Sequence, residues 1–145
     1  MASALSGVLT AYRTALAASP ASLVNLPEAM DIDDLPVSTL HKTFVLRVSG
    51  TPQVRQLHGG GQLEYDAEIE LEIHWDPELD LEAIHNTIAD DLINATHVMV
   101  TQSNRPAGCI RVWPIGIGRV EKISTNDIAA TMQYEVRCRE TKDTA

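Results

Sequence analysis

Asp66, Glu68, Glu70 and Glu72 fall at every second position between Tyr65 and Trp75, and the residues between them are apolar. On an extended chain such carboxylates point the same way, ~7 Å apart, close enough to repel unless water, cations or a basic partner screen them. Two carboxylates can divide the work of general acid and general base when their surroundings drive their pKa values apart. Four acids on one solvated face provide no such asymmetry. The plainest reading is a wetted sheet face. Outer faces usually mix the two signs of charge, however, and no Lys or Arg interrupts this run. A channel or a basic partner explains the choice better than bulk water does.

The other reactive residue types form no constellation. Histidines stand at 41, 58, 74, 85 and 97, with no pair at helical ligand spacing and no HExxH, so no metal is expected. No GxSxG elbow presents a serine nucleophile. Gly60-Gly61-Gln62 spells the tripeptide that release factors use for peptidyl-tRNA hydrolysis, but the chain is acidic and strands flank the motif, so a glycine-rich hairpin tip is the reading. Gly116-x-Gly118 is followed by Glu121 and by no lysine of the P-loop kind, which makes it a turn. Cys109 and Cys138 fall in strand-like segments without metal-ligand spacing and read as two core thiols in a reducing compartment. Asn94-Ala95-Thr96 fits a glycosylation acceptor, but in a helical setting without a secretory signal it reads as idle. No catalytic residue, cofactor or enzymatic activity is expected.

Composition narrows the classes further. At 145 residues the chain is expected to be a single domain, 1–145, able to bury roughly two-thirds of its unfolded surface. A net charge of −9 argues against gripping nucleic acid through its phosphates, though not against letting it pass. No apolar run approaches the ~18 residues of a membrane span. Ala15 to Ser19 resembles a signal cleavage site, but the basic n-region is missing and Tyr12 and Arg13 interrupt the apolar run, which points to a cytosolic product.

The elements that must position the acids can be read in order. Leu5, Val8, Leu9, Tyr12 and Leu16 recur at helical spacing, with Ser3 as cap and Ser19-Pro20 as stop. An extended proline-containing loop over 20–43 follows, pinned by Leu23, Leu26 and Leu35; loops of this length are often functional. Phe44 to Ser49 alternates as a strand, and Gly50 to Pro52 breaks it. Val54 to His58 and the acidic strand form a hairpin around Gly59, Gly60 and Gly61, ended by Asp76-Pro77. Asp80 caps a second helix over 81–95 with Leu81, Ile84, Ile88, Leu92 and Ala95 inward and Glu82, His85, Asp90 and Asp91 outward. Short strands are expected at 98–100, 110–113 and 119–123, with a break at Pro114 to Gly118. A last alternating strand runs over 128–139, and 140–145 is a frayed tail. The sum is an α+β fold, an antiparallel sheet with the N-terminal helix and the post-hairpin helix on one face.

This order of elements resembles the tail terminator, or tail completion, proteins of long-tailed bacteriophages. The resemblance rests on the helix Leu5 to Leu16, the proline-rich loop and strand, the hairpin with its acidic-apolar strand Glu64 to Trp75, the Asp-capped helix Leu81 to Ala95, and the closing Tyr134-Glu-Val-Arg-Cys-Arg139. It implies a non-enzymatic virion protein that forms a ring, hexameric in that family, at the head-proximal end of the tail tube. Such a ring stops tube growth, joins the tail to the head connector and lets DNA through without specific binding. It implies the tail tube protein and the head completion or connector protein as partners, and residence in the host cytoplasm during assembly. Asp66, Glu68, Glu70 and Glu72 would then line the lumen, and Gly59, Gly60 and Gly61 would touch a neighbouring subunit. Another neck or tube protein, or a small ligand-binding or enzymatic α+β domain, would share the patterning.

Overall fold

The alternation between Tyr65 and Trp75 belongs to the fourteen-residue strand β4 (Gln62–Trp75), the spine of a computed structural model that describes residues 4–18, 23–25, 41–58, 62–76, 84–101, 108–116, 120–124 and 127–141. The other elements among these residues are α1 (Ala4–Ala17), β1 (Val24–Asn25), β2 (Thr43–Val48), β3 (Gln53–His58), α2 (Ile84–Val100), β5 (Cys109–Gly116), β6 (Val120–Ser124) and β7 (Asp127–Thr141). β7 pairs antiparallel with β4 along its whole length, from Gln62↔Thr141 to Trp75↔Ile128. The other edge of β4 is shared: β2 takes Ile69 to His74 and β3 takes Gln62 to Asp66. β5 and β6 likewise divide the far edge of β7.

The architecture is α+β as the patterning required. β1 is a departure, a two-residue parallel addition to β2 within the region read as loop. It is seated by Val24 N–H donating to Lys42 O at 2.8 Å, while Leu23 is buried in the core. Lys42 holds a left-handed backbone (φ 58°) where the chain turns into β2, a conformation uncommon for a residue with a side chain. The rest of the 20–43 loop, the Gly59–Gly61 tip and the caps Ser3 and Asp80 lie outside the described residues.

One core joins both helices to one face of the sheet. Leu5, Val8, Tyr12 and Leu16 of α1 and Ile84, Ile88, Ala95 and Met99 of α2 pack with Phe44, Leu46, Ile69, Leu71, Ile73, Trp75, Tyr134 and Val136. Each fully buried large apolar side chain contributes about 1.5–3 kcal/mol. Arg13 adds a polar tie, donating from Nη2 to Leu46 O of β2 at 2.7 Å.

Several expectations are corrected. Residues 98–100 are helix, not strand, because Val98 and Met99 extend the buried stripe of α2. Asp91 is not outward: it lies in that stripe between Ile88 and Ala95 and accepts from Trp75 Nε1 at 2.8 Å, with Lys42 Nζ at 3.7 Å. β5 runs through Pro114 to Gly116, with register shifts at both ends. It is an outermost strand of the sheet, where a missing N–H is tolerated. β7 continues to Thr141, held there by Tyr65 Oη donating to Glu140 at 2.8 Å, so only 142–145 of the expected frayed tail lie beyond it.

Candidate functional site

The face of β4 turned away from the helices carries Glu64, Asp66, Glu68, Glu70 and Glu72, followed by a buried His74. Because strand side chains alternate, whatever β2 and β7 place opposite these acids shares their face. The register sets Arg47 against Glu70, Arg137 against Asp66 and Arg139 against Glu64. Arg47 meets Glu70 with Nε at 2.9 Å and Nη2 at 2.8 Å and leans towards Glu72 at 3.8 Å. Arg137 Nε donates to Asp66 at 3.0 Å, and Arg139 Nη2 to Glu64 at 2.9 Å. The single-signed wall expected from β4 alone is therefore corrected. The signs alternate across strands, although they do not alternate along β4.

Glu68 departs from this pattern. It is exposed, and its cross-strand partner is Glu135. With Asp66, these carboxylates line a depression of about 330 Å³ bordered by Thr51 and Gln53. Partial desolvation, then the charge of Asp66 and a hydrogen bond to it, push the Glu135 carboxyl above its ordinary range. Glu72 shows the reverse: a hydrogen bond with His74 Nε2 at 3.1 Å, aided by the charges of His74 and Arg47, holds it below that range. The face thus has a matched end around Glu72 and an acid-rich middle around Glu68.

At its Glu72 end the face closes, with Thr43, Val45, His74 and Ala129 all buried. Across β7 it ends in an aromatic step, where the Arg111 guanidinium lies 4.1 Å and that of Arg137 5.6 Å from the Trp113 ring centroid. Cations over an indole face are held by the ring quadrupole. Arg137 therefore serves two partners, Asp66 and Trp113.

The remaining reactive residues disperse. His41 Nδ1 accepts from the Asp76 backbone N–H at 3.0 Å, while His85 and His97 are exposed on α2. Among the described residues no group of three His, Cys, Asp or Glu is placed to hold a metal ion. Cys109 and Cys138 are both thiols of the core, as expected, Cys138 within it and Cys109 packed against it. They are direct cross-strand partners, one half-exposed and one buried.

Sequence reasoning found the four acids but missed Glu64, Glu135, Trp113 and the arginines. The available signal was the alternation of Arg137 and Arg139 on β7: once β7 is laid antiparallel to β4, these two arginines can meet the acids of β4. No family model matches this chain, and a search of curated proteins finds no match either.

Proposed function

We propose that this protein is a ring-forming structural subunit of the kind its sequence resembles, a phage tail terminator that caps the tail tube and joins it to the head connector while DNA passes through. One observation carries the reading. Apolar side chains stand exposed at both edges of the sheet, and the two patches differ. At the β3 edge, Val54 is 60% exposed beside Pro52, over a shallow depression that Leu63, the buried Leu5 and Tyr65, and the Glu140 carboxylate also line. At the β5 edge, Ile115 and Ile93 are exposed, and a groove of about 400 Å³ runs between α2 and β5, lined by Leu92, Ile93, Thr96, Pro114 and Met132. Exposed apolar patches mark contact surfaces. Unlike patches on opposite sides of one subunit suit a head-to-tail contact that closes by rotation.

The charged face of β4 is then free to line the channel. DNA presents a negative charge every ~1.7 Å, and a basic wall would hold it. A face on which Arg137, Arg139 and Arg47 are already bound to Asp66, Glu64 and Glu70, with surplus negative charge at Glu68 and Glu135, offers phosphates little to grip. The tube protein and the connector would meet the two rims of the ring.

A second reading takes the α2–β5 groove as a pocket for a small apolar ligand. Native mass spectrometry over a concentration series, with electron microscopy of the same samples, separates the two. The ring reading expects one closed oligomer, a hexamer if the resemblance extends to copy number, with a central channel. A concentration-independent monomer that binds anilinonaphthalene sulfonate in the groove would replace it with the pocket.

A further inference from the structure

We propose that Cys109 and Cys138 form an oxidisable dithiol, a site of reversible intramolecular disulfide formation that fastens the edge strand β5 to β7. Their Cα atoms are partners in the antiparallel ladder. The bond beside them, Arg139 N–H donating to Gly108 O at 2.8 Å, joins the residue after one cysteine to the residue before the other. That pattern marks a non-hydrogen-bonded pair, the closer of the two antiparallel types, with Cα atoms ~4.5 Å apart. Disulfides span Cα separations of ~4.4–6.8 Å, and directly opposed residues share a face. The register shift between Cys109 and Arg111, and the left-handed Gly108 (φ 87°) just before, give this end of β5 room to adjust.

The two thiols divide the chemistry. Cys138 is fully buried, and desolvation, with the charge of Cys109 beside it, pushes its thiol up to about 12. Cys109 is half-exposed at the margin of the core. Cys109 therefore reacts first: its thiolate attacks one sulfur of a small organic disulfide, the S–S bond breaks, and one thiolate leaves and takes up the proton Cys109 lost. Cys138 then gives up its proton and attacks the Cys109 sulfur, expelling the second thiol. Two protein thiols are oxidised, one external disulfide is reduced to two thiols, and no other reactant is needed. The product ties down the strand that carries Trp113 and Ile115. The inference holds whether or not the chain forms rings.

The test treats the folded wild-type protein with glutathione disulfide and maps its cysteine peptides by mass spectrometry. The expected result is a monomeric chain lighter by two hydrogens, with a Cys109–Cys138 cross-linked peptide. Tm should rise on the order of 5–10 °C, and dithiothreitol should reverse it. Cys138→Ala should stop at a stable glutathione adduct on Cys109, whereas Cys109→Ala should leave Cys138 unmodified while folded. Wild-type protein that keeps both thiols, stops at the Cys109 adduct or cross-links between chains would overturn the proposal. Because the decisive map is made on the wild type, a variant that fails to fold does not remove the test.

Discussion

On one face of β4, Tyr65, Ala67, Ile69, Leu71, Ile73 and Trp75 lie buried in the core that both helices share. On the other, Glu64, Asp66 and Glu70 are held by Arg139, Arg137 and Arg47, which arrive from β7 and β2. Both faces come from one alternating stretch, yet different physics holds them. Burial is non-directional and accepts any well-fitting apolar neighbour. An ion pair depends on which residue the register sets opposite, so a two-residue slip would preserve the apolar face and scramble the charged one. Single substitutions at the exposed position of the charged face, Glu68, should therefore cost little stability.

The comparison breaks most sharply at Ile69. It is fully buried and paired with Tyr134 and Val48, so Ile69→Asp should cost at least about 3 kcal/mol by burying a charge without a partner. Denaturant unfolding measures this, and a midpoint equal to the parent's would mean the register is wrong. Next comes Asp91, a polar residue within the buried helix stripe. Asp91→Ala strands the Trp75 indole N–H and should cost about 1–3 kcal/mol. Asp91→Asn, which keeps an acceptor, should recover much of it. Equal melts for the two variants would show that the bond contributes nothing.

The charged face should give smaller effects of two opposite signs. Glu72 has a lowered pKa, so its contribution is present above the ordinary carboxylate range and is lost as pH falls through the lowered value. Glu135 has a raised pKa, so its ionised form is penalised in the fold, and the penalty lifts as pH falls through the raised value. Glu135→Gln should thus stabilise the protein at neutral pH by about 0.2–1 kcal/mol, the scale of a like-charge cross-strand pair. The gain should shrink in high salt and vanish once wild-type Glu135 is protonated in both states. Glu72→Gln should instead destabilise at neutral pH and converge with the parent in acid. Matching pH profiles for the two variants would mean that the face is uniform.

These differences explain what could be read from the chain. Helix α1, the long β4 and β7 strands and the layer order follow from local periodicity, since each residue's side of the element depends on its own spacing. Asp91 was misread because residue type was weighed above position: 88, 91 and 95 lie on one helical stripe whatever stands at 91. The arginine partners and the Cys109–Cys138 pairing were hidden for another reason. They depend on the register between β4, β7 and β5, which joins segments tens of residues apart. β1 was missed because two residues carry no period.

The central claim is that unlike apolar patches on the two edges of the sheet bring copies of the chain together head to tail. Mixing two edge variants tests it most directly. Val54→Glu should spoil the β3 edge and Ile115→Glu the β5 edge, and native mass spectrometry should find each variant monomeric when alone. Mixed in equal amounts, they retain one intact pair of patches, so the account predicts a one-to-one heterodimer that cannot grow or close. Wild-type protein should form the closed ring under the same conditions. A mixture that stays monomeric while the wild type assembles, or a wild type that is itself monomeric at every concentration, would contradict the account.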